Sequence, residues 1–171
     1  SANHCYYTPG AVVVRFNWES ETCVNPVFAP DSTSLSGAMQ RATYSISDFW
    51  LVELYSMPRK DYNVYYSGWN RANYTSYNDK AWCIHHPSGD IKKISWSNGG
   101  LASSTLGGLP GSGTNYWRVN SWSDGTTTEA GSSGAALFDA EHRIIGQLYG
   151  GTAECGNINP DWFGKLSTSW N

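Results

Sequence analysis

Apolar and polar positions alternate in short bursts along this chain and almost nowhere recur at the three-to-four-residue spacing of an amphipathic helix. Runs rich in Val, Ile, Tyr, Phe and Trp, separated by Gly, Asn, Pro and Ser clusters, predict strands. In the first part these are "AVVVRFNW" (Ala11 to Trp18), "ATYSI" (Ala42 to Ile46), "FWLVEL" (Phe49 to Leu54) and "YNVYYSGW" (Tyr62 to Trp69). Further on come "KAWCIHH" (Lys80 to His86), "KKISW" (Lys92 to Trp96), "NYWRVN" (Asn115 to Asn120), "AALFD" (Ala135 to Asp139) and "RIIGQLYGG" (Arg143 to Gly151). The pattern predicts an all-β protein, a sandwich or barrel of many short strands. The stretch "NGGLASSTLGGLPGSG", Asn98 to Gly113, is too rich in Gly and Ser for a strand and predicts a mobile surface loop. "PRKD", Pro58 to Asp61, is the expected connection between two halves.

Composition narrows the function classes. With 171 residues, 40% of them hydrophobic, the chain can bury one sizeable core or two small barrels in contact. A net charge of -3 without a run of Lys or Arg argues against a nucleic-acid partner. No apolar stretch approaches the roughly 20 residues that a membrane helix needs, so no membrane partner is expected. The chain opens without an initiator Met, which fits a segment of a longer protein. Cys5, Cys23, Cys83 and Cys155 lack the close pairing of a zinc site, and a disulfide role outside the cytosol fits them better. Cys83, His85 and His86 invite a metal reading, but adjacent histidines on a strand point to opposite faces, so neither metal nor cofactor is predicted.

Candidate chemistry centres on "TTTEAGSSGAALFD", Thr126 to Asp139. A nucleophilic serine needs a tight, glycine-permitted turn that exposes its hydroxyl and aims backbone N–H groups at the oxyanion. Gly131, Ser132, Ser133 and Gly134 meet that need, although Gly and Ser also make ordinary turns. A hydroxyl of this kind requires a base and a group that orients the base. Four histidines are available, namely His4, His85, His86 and His142, and Asp48 is the notable carboxylate because it directly precedes the apolar run "FWLVEL".

These motifs carry a resemblance. The chain resembles the chymotrypsin-like (trypsin-like) serine endopeptidase family, and within it the bacterial lysyl endopeptidase branch. "SANHC" is similar to that branch's Thr-Ala-X-His-Cys motif, "SDFWLVEL" to its aspartate motif, and "TTTEAGSSGAALFD" to its Thr-Glu-X-Gly-Ser-Ser-Gly-Ser-Pro motif. "YYSGWNR", "CIHHPSGDIKKIS", "IIGQLYGG" and "DWFGKLSTSW" follow in family order. The resemblance implies two six-stranded antiparallel β-barrels, the first incomplete here, over residues 1–58 and 59–171. It implies His4 as general base, Asp48 as its orienting partner, Ser133 as nucleophile and the N–H groups of Gly131 and Ser133 as the oxyanion hole. It also implies that Asp161 of "PDWFGK" receives a substrate Lys or Arg, while Tyr149, Gly150 and Gly151 line the substrate strand. The implied activity is cleavage of protein or peptide substrates through an acyl-enzyme, by a secreted monomer.

Two departures from the branch pattern at the pocket set aside a strict Lys preference, and a third is a packing change expected to alter stability more than chemistry. Tyr149 stands where the branch has His, no Trp occurs between Asn98 and Gly113, and Ala135-Ala136 replaces Ser-Pro. Relatives carry strands ahead of the histidine motif, with cysteines that bond to those matched by Cys5, Cys23 and Cys155. A lost native disulfide costs about 2–5 kcal/mol, so the isolated chain is expected to be poorly stable in a thermal melt. Two other classes stay open on the sequence: a binding module that keeps the fold without turnover, and a carbohydrate-binding β domain using the nine Trp and eleven Tyr.

Overall fold

The structure, a computed structural model, describes residues 1–74, 76–106 and 113–170. Its order begins with β1 (Val13–Phe16), β2 (Thr33–Ser36), β3 (Ala38–Tyr44) and β4 (Phe49–Leu54). It continues through β5 (Ser76–Tyr77), β6 (Ala81–His85), β7 (Lys93–Ser97), β8 (Leu101–Ser104) and β9 (Tyr116–Val119). β10 (Ala136–Phe138), β11 (Ile144–Gly151), β12 (Asp161–Lys165) and a short helix α1 (Leu166–Ser169) complete it. The protein is therefore mostly β, and every strand ladder is antiparallel.

Closed six-stranded barrels are not what the described residues form. β1 pairs with β2 and β3 with β4 as separate ladders, while the rest make one eight-stranded sheet in the order β5-β8-β9-β12-β11-β10-β6-β7. That sheet curls around a single core, because Ala81 and Cys83 of β6 share an apolar cluster with Leu101 of β8, Trp117 and Val119 of β9, and Phe163 of β12. It stays open for a visible reason. The edge of β7 is taken by the segment after β9: Ser123 N–H donates to Trp96 O, and Trp96 N–H donates to Thr126 Oγ1. No ladder joins β7 to β5 among the described residues.

Two other expectations need correcting. Tyr62 to Trp69 forms no strand: Tyr62 ends a 3₁₀ turn, and Trp69 makes only an isolated bridge to Ile144. Tyr65 and Tyr66 are exposed, so their aromatic character marks surface. Within the expected loop from Asn98 to Gly113, residues Leu101–Ser104 form β8, paired with β9; residues 107–112 of that stretch lie outside the described residues.

The first fifty-odd residues meet the large sheet through β12 and β11. Gln147 Nε2 donates to Ser47 O at 2.7 Å, and the Ser47 and Ser169 hydroxyls lie 2.8 Å apart. Gly164 of β12 lies so close to Ser47 that an added Cβ would fall 1.8 Å from its carbonyl oxygen. This junction sets the position of the next residue, Asp48.

Candidate active site

The chain's first residues add themselves to the start of β4. Ser1 and Trp50 exchange hydrogen bonds at 2.9 Å, Ala2 bridges Phe49, and Asn3 N–H donates to Asp48 O at 2.8 Å. A 3₁₀ turn (Asn3–Cys5) then carries His4 over Asp48. Asp48 itself closes a 3₁₀ turn in the left-handed conformation at φ 56°, ψ 42°, which Asp tolerates better than most residues. Its buried carboxylate accepts two bonds from one residue: His4 N–H reaches Oδ1 at 2.7 Å, and His4 Nδ1 meets Oδ2 at 2.6 Å. An ionised carboxylate accepts only, so Nδ1 carries the ring proton and Nε2 is left bare, as a base requires.

The serine turn is built by close approaches. Gly131 and Gly134 lie at φ +90° and +81°, and a Cβ on Gly134 would sit 2.6 Å from Ser1 Oγ and 2.7 Å from Ala2 N. The turn thus packs directly on the segment that bears His4. Gly134 N–H donates to Leu148 O and Leu148 N–H to Ala135 O, both at 2.8 Å, fastening the turn to β11. Ser132 is buried and Ser133 half-buried. Among the described residues neither Gly131 N–H nor Ser133 N–H donates to a protein acceptor, which leaves both available to an oxyanion. The Cys5 thiol is pushed up by burial and by the Asp48 charge, against the Ser1 amino group and a hydrogen bond from the Ser133 hydroxyl.

Ser133 also lines a cavity of about 440 Å³ together with Thr128, Leu148, Gly150, Gly151 and Asp161. Asp161 starts β12 opposite Gly151 and is buried to 1% exposure. Trp122 Nε1 donates to its Oδ2 at 2.7 Å, and Thr128 Oγ1 donates to the same oxygen. Oδ1 faces Gly151, where an added Cβ would fall 2.3 Å away. Burial pushes the carboxyl up from its ordinary value, and the Thr128 and Trp122 hydrogen bonds hold it down. A buried anion with one oxygen free is suited to a substrate cation.

Tyr149 is turned away from this cavity. The β11–β12 register shifts between Leu148 and Gly150, so Tyr149 is the unpaired residue of a bulge and its ring leaves the sheet. It meets the His4 ring edge-on at 5.5 Å and the Tyr116 ring at 6.0 Å.

The structure therefore brings His4 to Asp48, and Ser133 to Asp161, Gly150 and Gly151. It contains no hydrogen bond between His4 and Ser133. Such contacts often tighten only when substrate is bound. Trp122 and Thr128 escaped the sequence reading, because neither stands next to Asp161 in the chain; the threonine run of "TTTE" was the available signal. Cys83 and His85 lie buried on one face of β6, and both His85 nitrogens are taken by serine hydroxyls. Among the described residues no group of three His, Cys, Asp or Glu side chains is placed to hold a metal ion, and the four cysteines are not bonded to one another.

Comparison with known proteins gives the relationship. A lysyl endopeptidase from Pseudomonas aeruginosa is 36% identical over 130 residues, which is 70% of this chain and 26% of that protein. The chain spans about a quarter of that relative's length. Among solved structures, an inactive mutant form of Rv3671c from M. tuberculosis aligns with 82% of this chain and 67% of its own at 11% identity, with a TM-score of 0.49. The family model for the lysyl endopeptidase C-terminal domain matches residues 1–164, and the chain belongs to that family.

Proposed function

We propose that this domain is a serine endopeptidase that hydrolyses peptide bonds through an acyl-enzyme on Ser133, after Lys or Arg. One observation carries the reading. A histidine held by two hydrogen bonds to a buried aspartate belongs to a segment whose first residues pack on a glycine-permitted serine turn, and that serine shares a cavity with a second, buried aspartate.

In this mechanism His4 Nε2 removes the proton from Ser133 Oγ as the oxygen attacks the substrate carbonyl. Asp48 stabilises the imidazolium that forms and keeps the ring in the tautomer that leaves Nε2 bare. The Gly131 and Ser133 N–H groups meet the oxyanion, and a single such donor is worth about 2.7–4 kcal/mol. The imidazolium then protonates the leaving amine, the acyl-enzyme forms, and water activated by His4 releases the acid. Asp161 Oδ1 binds the substrate's side-chain cation, while Thr128 and Trp122 fix the carboxylate. The same reading takes an extracytoplasmic setting, a peptide substrate and a monomer as its expectations.

Labelling with a fluorophosphonate, compared with the Ser133→Ala variant, is the test. Ser133-dependent labelling supports the peptidase. A folded protein that stays unlabelled refutes it and favours a binding module of the same fold, whereas glycan binding that survives Ser133→Ala favours a sugar-binding domain.

A further inference from the structure

The mechanism above makes no use of His85, yet this ring is 2% exposed and both its nitrogens are engaged. It ends β6, directly behind the serine turn. His85 Nδ1 lies 2.8 Å from Ser132 Oγ, and Nε2 lies 3.0 Å from Ser95 Oγ of β7. Ser132 is the residue between the two amides assigned to the oxyanion. We propose that His85 is a positioning residue: through the Ser132 hydroxyl it holds the turn that presents Ser133 and the Gly131 and Ser133 N–H groups. The inference rests on the peptidase reading of that turn.

Proton counting gives the direction of every bond in the network. Ser95 Oγ has one proton and donates it to Thr127 O at 2.6 Å, so toward His85 it can only accept. Nε2 therefore carries the ring proton and Nδ1 is bare. Ser132 donates to Nδ1, and its oxygen accepts from Glu129 N–H at 3.4 Å. The turn's own backbone repeats the tie, with Ser132 N–H donating to Glu129 O at 3.1 Å and Ala135 N–H to Ser132 O at 3.0 Å. Each donor finds an acceptor only with a neutral imidazole. A proton added at Nδ1 would point at Ser132 Oγ, whose own proton would then have to turn toward the Glu129 N–H.

The surroundings favour the neutral ring. Burial, with a smaller push from His86, lowers His85 to about 4, and Glu129 opposes the shift. His85 borders a second cavity, of about 330 Å³, whose other titratable groups besides Glu129 are Asp90, Lys93 of β7 and Cys155. A histidine that needs to stay uncharged is thus kept so by its burial, and the hold on the turn persists until the pH falls to about 4.

Two kinds of measurement test this. In the protein as it exists, ¹⁵N NMR of the His85 ring should report the neutral Nε2–H tautomer from pH 8 to about pH 5; an Nδ1–H tautomer, or titration near the ordinary value of about 6.5, overturns the proposal. In kinetics, His85→Leu and Ser132→Ala should each lower kcat by about 10- to 100-fold, with KM changing by less than about threefold. His85→Asn, which can still accept from Ser132, should recover most of the loss, and the His85→Leu/Ser132→Ala double variant should be no worse than the more damaged single variant. Additive losses, or no recovery by Asn in a folded variant, would show that His85 does not act through Ser132. Should Ser133 prove unreactive in the folded protein, the peptidase reading fails, while the ring measurement still decides whether His85 holds Ser132.

Discussion

Gly164 offers the sharpest test of how the site is assembled. Replacing it with Ala puts a Cβ 1.8 Å from Ser47 O, 2.8 Å from Ser47 C and 2.4 Å from Gln147 Nε2. An ordinary contact needs about 3.4 Å, and the obstacle is backbone, so the Ser47–Asp48 turn must move away from β12. That movement breaks the 2.7 Å bond from Gln147 to Ser47 and leaves a buried amide unpaired, which costs about 1–3 kcal/mol. Overpacking adds about 1–3 kcal/mol more. The same displacement carries Asp48, and with it His4, away from Ser133, and a misplacement of about 1 Å costs on the order of 100-fold in rate. Gly164→Ala should therefore lower kcat about 100-fold, with a smaller change in KM for a Lys-containing amide, since Asp161 keeps its Trp122 and Thr128 partners. Leu101→Ala is the control: it should cost about 2–5 kcal/mol in the core without touching Ser47, and so lower the melting temperature while sparing the kcat of folded protein. A folded Gly164→Ala variant with kcat within about threefold of the unaltered protein would show that this junction does not position Asp48.

Other expectations follow from the same geometry. Asp48→Asn presents an amide to His4 Nδ1 and favours the wrong tautomer; by analogy with serine peptidases, kcat should fall about 10⁴-fold while the circular dichroism spectrum is kept. Asp161→Asn should lower kcat/KM on Lys and Arg peptides by at least about 100-fold and leave a neutral side chain little affected; a matched peptide set differing at that one residue reads this out, and unchanged Lys cleavage would remove Asp161 from the pocket. Gly151→Ala sets a methyl 2.2 Å from Pro160 O and 2.3 Å from Asp161 Oδ1, so binding of Lys peptides should weaken with the Ser133 labelling rate preserved. His85 gives a pH dependence of stability. Its ring is lowered to about 4 in the fold and titrates at 6.5 in the unfolded chain, so this contribution is complete above pH 6.5, falls as acid is added and levels off below about 4. The loss is about 3 kcal/mol, and urea midpoints at pH 7 and pH 4.5 should differ by less in His85→Asn than in the unaltered protein.

What the sequence disclosed depended on whether charge and burial agreed. β4 was legible to the residue because Trp50 faces in while Leu51 and Glu53 face out within a β-branched and aromatic run. β6, β7, β9, β10 and β11 were recognisable within a residue or two for similar reasons. β12 was not, because both its charged residues are buried: Asp161 lies on Trp122 and Thr128, and Lys165 lies over the Trp117 ring with its ammonium on Ser103. A hydropathy pattern counts such residues as solvent-facing. Motif order supplied His4, Asp48, Ser133 and Asp161 as candidates, since spacing survives in the chain whatever the fold. The groups that orient them act from elsewhere in the chain, Gln147 from β11, His85 from β6, and Trp122 and Thr128 from the segment between β9 and β10, and nothing local in the sequence pairs them with their targets.

The place of β12 has a consequence for how the domain is made. Among the described residues it is the last strand in sequence, yet it lies between β9 and β11, and no other described strand joins those two groups. Until residues 161–165 are available, the large sheet exists only as two fragments, β5-β8-β9 and β11-β10-β6-β7. Pairings this distant in sequence form slowly, because loop closure must precede the contacts that reward it. The residue that opens β12 is Asp161, so the buried carboxylate of the Ser133 cavity, whose lining also holds Glu129 and Glu154, arrives with the strand that joins the two fragments. A partly folded chain can hold the serine turn of residues 131–134 before its buried carboxylate is in place.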